Sequence, residues 1–167
     1  MKRMIYSLLI VAVAMWGYSC GESSTGNGDG DVEAIVGAWV SEGATHVALG
    51  LQQLSKTARI DAEFAENGTY NVVATDSTGS EVTFTGTYEL GEETASGIRT
   101  ITLTQATPSS VTSEGIFQIE SDMMTYEVIQ TEPTVGAEAP TVEGGFGSTL
   151  VGGTNYGTYW VQVFEKQ

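Results

Sequence analysis

Aromatic side chains that alternate along short apolar stretches are the residues of this 167-residue chain best suited to chemistry. Residues two apart on a strand share a face, so the rings in each such stretch point the same way. There they either fill a core or line a cup for a small apolar molecule, which tyrosine hydroxyls would orient. The sequence leaves both interpretations open. The rings are Phe64, Tyr70, Phe84, Tyr88, Phe117 and Tyr126.

Groups that could catalyse a reaction or bind a metal are scarce. His46 is the chain's one histidine and has no nucleophile beside it, so we expect a surface or loop residue. Glu92 and Glu93 stand together in a predicted turn, where carboxylates are usually solvated. Zinc sites need about four ligands, and this chain cannot supply them from histidine and cysteine. We therefore expect no catalytic site, no metal site, no cofactor and no enzymatic activity.

The charge balance bears on partners. The chain has 21 acidic against 6 basic residues, a net charge of -15. Nucleic-acid binding depends on Lys and Arg that neutralise phosphates, and an acidic surface repels them. We therefore expect no nucleic-acid partner.

The first residues have the pattern of an export signal. Lys2 and Arg3 precede an apolar run over residues 4–16, and the small residues Gly17 and Ser19 follow. The run is too short to cross a bilayer, which needs about 20 apolar residues. We predict a signal peptide over residues 1–19.

Cys20 follows directly after the predicted cleavage site. The segment "GYSCGESS" resembles the lipobox of bacterial lipoproteins, in which the cysteine receives the lipid. This resemblance implies a membrane anchor at Cys20, and Gly21 favours the outer membrane, on either its periplasmic or its surface side. The alternative is a secreted or periplasmic protein that keeps Cys20 as a free thiol. Residues 20–33 are rich in Gly, Ser and Asp and predict a lipidated, flexible tether.

From Ala34 onwards apolar and polar residues alternate, which predicts about eight strands. In "ARIDAEF" the inward set would be Ala58, Ile60, Ala62 and Phe64, and Asn67-Gly68 predicts a hairpin turn. Helical spacing of apolar residues predicts one short helix or loop near residues 46–55. Strands joined by tight turns favour an all-β, antiparallel up-and-down barrel over residues 34–167.

The last part of the chain contains two unusual segments. Residues 133–155 hold a glycine cluster and predict a long loop. The closing strand, "TYWVQVFEK", places Trp160 and Phe164 on one face and Val161 and Val163 on the other. Since both faces are apolar, one must be covered by the loop, by the helix or by a protein partner.

The segments "GAWV", "FAENGTY", "FTGTYEL" and "GIFQIESDMMTYEV" resemble the lipocalin-like domains of small bacterial lipoproteins. That resemblance implies a barrel in which Trp39 plugs the closed end beneath the cavity, with Lys166 where an arginine would cover the ring. It implies a cell-envelope protein whose barrel binds or carries a small apolar ligand. The alternative is a barrel with a filled core that serves as a non-enzymatic, surface or periplasmic protein-interaction module.

Overall fold

The structure, a computed structural model, describes residues 34–167. Its main element is a closed barrel of eight antiparallel strands, in which each strand pairs with the barrel strands before and after it in the chain and the first pairs with the last, so the predicted up-and-down barrel is confirmed. No helix in the described part is long and apolar enough to cross a membrane. The barrel strands are β1 Gly37–Glu42, β2 Thr57–Phe64, β3 Thr69–Asp76, β4 Glu81–Leu90, β5 Arg99–Thr107, β6 Val111–Glu120, β7 Met123–Glu132 and β11 Gln162–Lys166.

Tight hairpins fix the register of consecutive strands. The β2–β3 turn ends at Gly68, whose φ of 77° suits glycine, and the Asn67 side chain accepts a hydrogen bond from Thr69 N at 3.1 Å. This turn sets Phe64 opposite Tyr70 and Ala62 opposite Val72. The predicted Asn-Gly hairpin is confirmed, and the alternation carries the apolar side chains into the barrel.

The two ends of the barrel differ. At one end lie residue 34, the β2–β3 and β4–β5 turns and the last residues of β11, around a core that includes Ile35, Trp39 and Met124, each fully buried. We call this the closed end. At the other end, the mouth, lie the short helix and the β3–β4 and β5–β6 turns.

The prediction that Ala58 faces inward is wrong. Ala58 is exposed, whereas Thr57 is buried, because the β2–β3 register shifts between Thr57 and Arg59. Such an irregularity changes which side chains face inward, and strict alternation in a sequence does not reveal it. The other three members of the predicted set, Ile60, Ala62 and Phe64, are buried.

The predicted helix is present as α1, Leu49–Leu54. It packs on a 3₁₀ helix, Gly157–Trp160, through Gly50, where a Cβ would stand 2.4 Å from the Trp160 ring. The prediction that Trp160 belongs to the closing strand is therefore wrong, since β11 begins only at Gln162. A helix can approach an indole ring this closely only where it carries glycine.

Residues 133–155, which we call the strap, fold against the outside of the barrel rather than forming a plain loop. They contain the strands β8 Ala137–Glu138, β9 Leu150–Val151 and β10 Thr154–Asn155, paired as a three-stranded sheet. The Glu127 carboxylate, on the outer face of β7, accepts hydrogen bonds from Gly147 N at 2.5 Å and Thr149 N at 3.3 Å. Glu127 is fully buried beneath the strap, and Thr149, within the strap, is also fully buried.

Candidate ligand cavity

A cavity of about 320 Å³ lies inside the barrel and opens towards the mouth. Its walls are mostly apolar side chains from the inward positions of the strands, together with Leu51 from α1. Exposure rises along its length, from the buried Phe64 to Val82, which is 47% exposed. Pockets of this size and lining are typical of sites for small apolar molecules.

Four of the aromatic residues predicted to bind a ligand line this cavity: Phe64, Tyr70, Phe84 and Tyr126. Phe164 completes the aromatic part of the wall and meets the Tyr126 ring edge to face, with centroids 5.7 Å apart. Edge-to-face packing holds both rings in place, so the wall is formed before any ligand arrives.

The other two predicted residues lie outside the cavity lining. The Tyr88 hydroxyl donates a hydrogen bond to Ala65 O at 2.9 Å, and its ring packs edge to face on Phe64. Phe117 is buried beneath the Arg99 guanidinium, which stands 5.8 Å from the ring centroid. Both rings therefore fill the core near the closed end. Alternation along a strand shows which way a side chain points but not how deep it sits.

Trp39 lies at the closed end and is fully buried. The indole Nε1 donates a hydrogen bond to Ile35 O at 2.7 Å, and Lys166 Nζ lies 5.2 Å from the ring centroid. Lys166 Nζ also donates to Ala34 O at 3.3 Å. A cation over the face of a buried indole is attracted by the ring quadrupole, so this arrangement stabilises the closed end.

The cavity wall contains two tyrosines, Tyr70 and Tyr126, whose hydroxyls the fold does not use. Neither the Tyr70 nor the Tyr126 hydroxyl is hydrogen-bonded to another residue of the described chain. Burial raises the pKa of both phenols, and the Tyr126 pKa is raised further by the neighbouring Tyr70. Both groups therefore remain neutral at physiological pH and can donate a hydrogen bond to a ligand.

Gln162 is a cavity residue that the sequence analysis did not single out. It is 8% exposed and lies opposite Tyr126 in the β11–β7 register, and its Oε1 atom has no hydrogen-bond partner within residues 34–167. The alternation along the closing strand could have identified Gln162, because this residue shares the inward face of β11 with Phe164. A polar residue on the buried face of a strand is unusual and marks a place worth testing.

A groove of about 420 Å³ adjoins the cavity on the side of β6 and β7. Gln162, Leu51 and Phe84 line both spaces and so stand at the passage between them. Trp160 lines the groove, and its Nε1 atom is buried without a hydrogen-bond partner among the described residues. An unpaired indole donor and an unpaired amide oxygen are therefore both buried in the side chains that line this passage.

Among the described residues, Asp76 is the one carboxylate that lines the cavity, and it lies at the mouth. Its pKa is lowered by hydrogen bonds, first from the Thr78 hydroxyl and then from the backbone of Ser80 and Thr78. It is therefore ionised at neutral pH. No Lys, Arg or His belongs to the lining formed by the described residues.

The remaining predicted residues lie apart from the cavity. His46 is in a loop, with Nε2 3.9 Å from Glu165 Oε1, and Glu92 and Glu93 are exposed in the β4–β5 turn. Within residues 34–167, no cluster of three or more His, Asp or Glu side chains could hold a metal ion. The predicted signal peptide, Cys20 and the tether lie outside the described residues.

The apolar outer face of the closing strand is partly covered. Val161 and Val163 are half-buried, and Val163 N donates to His46 O at 2.9 Å, which places the segment before α1 alongside β11. The Gly-rich strap covers a different part of the barrel, above Glu127. A protein partner at the closing strand stays a prediction.

Comparisons of this chain with protein-family models, with curated proteins and with solved structures gave no match.

Proposed function

We propose that the chain is an exported cell-envelope protein whose barrel binds or carries a small apolar ligand. The observation that carries this proposal is the 320 Å³ cavity, lined by aromatic and aliphatic side chains and open at one end. A barrel of eight strands is just wide enough to be filled by side chains or to hold one small ligand. Ala62 and Ala74 on the cavity wall are small, and their size favours the second arrangement.

The proposal includes the lipocalin-like resemblance and the anchor. The placement of Trp39 at the closed end, under Lys166, supports the resemblance. Lipidation at Cys20, with residues 20–33 as a tether, would attach the barrel to the bacterial outer membrane. Such an anchor would not require any membrane-spanning helix.

Fluorescence of N-phenylnaphthylamine, a neutral apolar probe, tests ligand binding by the purified full chain. We expect saturable enhancement with a dissociation constant in the micromolar range, and native mass spectrometry should detect a co-purified small molecule. Ala74→Phe fills the cavity and should abolish the enhancement. Ala58→Phe, on the exposed face of β2, is the matched control and should retain it.

Absence of saturable binding by a folded wild-type chain would overturn the proposal and favour the interaction module. Thermal unfolding of each variant, followed by circular dichroism, separates a blocked cavity from an unfolded protein. A folded Ala74→Phe variant that binds the probe as the wild type does would place the probe elsewhere on the molecule.

A further inference from the structure

Two polar side chains, on the neighbouring strands β7 and β11, lie side by side on the inner wall of the cavity and form no hydrogen bond with another described residue. The Gln162 amide carries an unpartnered Oε1, and the Tyr126 hydroxyl, on the neighbouring strand, has no hydrogen-bond partner among the described residues. A buried polar group left without a partner costs folding free energy. Position 162 would therefore be more stable with an apolar side chain unless something else supplies the partner of the buried Gln162 Oε1.

The hydrogen-bonding capacity of these two side chains defines which ligand head group would pair with them. An amide offers one acceptor and two donor hydrogens, and a phenol offers a donor and an acceptor. The complement is a head group that both donates and accepts, so that it satisfies Gln162 and Tyr126 together. The walls around them, including Phe64, Val72 and Phe164, require that the rest of the ligand be apolar.

The charges of the lining exclude one class of apolar ligand. Fatty-acid carboxylates need a cation or several N–H donors when they leave water, and the described lining contains no basic side chain. The ionised Asp76 stands at the mouth, and the chain as a whole has a net charge of -15. Both repel an incoming anion.

We propose, on the basis of the proposed ligand-binding function, that the natural ligand is an uncharged apolar molecule whose hydroxyl or primary amide head pairs with Gln162 and Tyr126. The head lies at the passage between the cavity and the adjoining groove, and the apolar tail occupies the cavity. Trp160 Nε1, at the groove side of this passage, is a further donor within the same polar region.

Displacement of N-phenylnaphthylamine from the full chain tests the inference with ligands of matched length: decanol, decanamide, decanoate and decyl chloride. For each ligand, the affinity is compared between the wild type and a variant. The free energy of transferring that ligand from water is the same in both measurements and therefore cancels. Gln162→Leu should weaken the binding of decanol and decanamide by about 3- to 10-fold, which corresponds to the loss of one neutral hydrogen bond. The binding of decyl chloride should stay unchanged or become tighter. Tyr126→Phe, which removes only an oxygen atom, should act in the same direction.

Gln118→Leu is the matched control, because Gln118 lies on β6 outside the cavity lining and bonds Ser96 O. This substitution should leave the affinity for all four ligands unchanged. Decanoate at neutral pH should bind the wild type at least about 10-fold more weakly than decanol, since the lining offers its charge no partner.

Equal effects of Gln162→Leu and Tyr126→Phe on decanol and decyl chloride would overturn the role of the polar head while probe binding, and so the proposed function, stands. Decanoate binding as tightly as decanol would overturn the preference for an uncharged head. Failure of the folded wild type to bind the probe at all would overturn the proposed function, and this inference with it.

Discussion

At the scale of single residues, the cavity wall combines aromatic packing with groups that keep a neutral charge state. Tyr126 is the clearest example, because it is buried, packs against Phe164 and holds a phenol whose pKa burial raises. The unfolded chain exposes the same phenol to water, where its pKa is about 10. The difference between the two states makes stability depend on alkaline pH.

The sign follows from proton binding. Above pH 10 the unfolded chain releases the Tyr126 proton while the folded chain keeps it, so the free energy of unfolding falls as pH rises. The stability that comes from keeping the Tyr126 phenol protonated is fully present below pH 10. Above pH 10, the free energy of unfolding falls by about 1.4 kcal/mol per pH unit. We expect Tyr126→Phe to lose less stability than the wild type between pH 10 and 11, as measured by urea unfolding.

Tyr156→Phe is the control for this prediction, because Tyr156 is 55% exposed. It should keep the pH dependence of the wild type. An identical dependence in Tyr126→Phe and the wild type would contradict the burial of the phenol in the folded state.

The sequence was a good guide to which residues face inward and a poor guide to their depth. Phe64 and Phe117 are both predicted to point inward, yet one lines the cavity and the other lies under Arg99. Depth depends on how neighbouring strands are staggered around the barrel, which is a relation between distant segments. Gln162 went unnoticed because the apolar residues on both sides of it dominate the pattern.

At the scale of elements, α1 depends on close contact with the 3₁₀ helix. Gly50 lies against the rings of Trp160 and Tyr159, and Leu51, the next residue, reaches the cavity. Glycine lowers helix propensity, so its presence in so short a helix is explained by this contact rather than by local preference. The sequence predicted the helix from its apolar spacing but contained no sign of what it packs on.

Gly50→Ala tests this contact. Alanine favours a helix by about 1 kcal/mol over glycine, yet its Cβ would clash with the Trp160 ring. We expect a net destabilisation of about 1–3 kcal/mol from overpacking, measured as a lower thermal midpoint. Leu54→Ala, at a residue of α1 that is 73% exposed, should leave the midpoint nearly unchanged. A more stable Gly50→Ala variant would show that the indole moves freely aside.

The strap depends on one carboxylate. Glu127 pairs with Ile116 across β6 and β7, and both are fully buried because the strap covers this outer face of the barrel. The sequence predicted a long loop here, since glycine and proline hide the short strands. It could not show that an outward-facing glutamate anchors the segment.

Glu127→Gln keeps the shape but removes the charge that strengthens the bonds from Gly147 N and Thr149 N. Hydrogen bonds to charged groups contribute about 1.5–3 kcal/mol, so the strap should open more often. Amide hydrogen exchange of residues 144–155 should accelerate, while exchange in β2 and β3 stays unchanged. The control is Glu114→Gln, at an exposed position on β6. Unchanged exchange in the strap would contradict this role of Glu127.

At the scale of the whole molecule, the proposed anchor and the acidic composition belong together. Lys2 and Arg3 fall in the predicted signal peptide, whereas every Asp and Glu follows Cys20. The processed protein would therefore be still more acidic than the full chain. Such a charge keeps a protein soluble and away from anionic surfaces, so a lipid at Cys20 would have to hold it at the membrane.

Cys20→Ser tests the anchor. In cells grown with labelled palmitate, we expect the wild type to be labelled and to sediment with membranes, and the variant to be unlabelled and released into the soluble fraction. Ser19→Ala, which keeps a small residue before the cysteine, is the control and should behave as the wild type does. A Cys20→Ser variant that still sediments with membranes would contradict the lipoprotein proposal.

Lys166 Nζ, which lies over the Trp39 ring, also donates a hydrogen bond to the backbone oxygen of Ala34. Residue 34 lies at the closed end, against Trp39, whereas the mouth opens at the opposite end beside α1. A barrel attached to a membrane through its N-terminal segment, as proposed, would have its attachment point at the end opposite its opening. A ligand of the proposed kind would then enter and leave the cavity at the end farther from the attachment point.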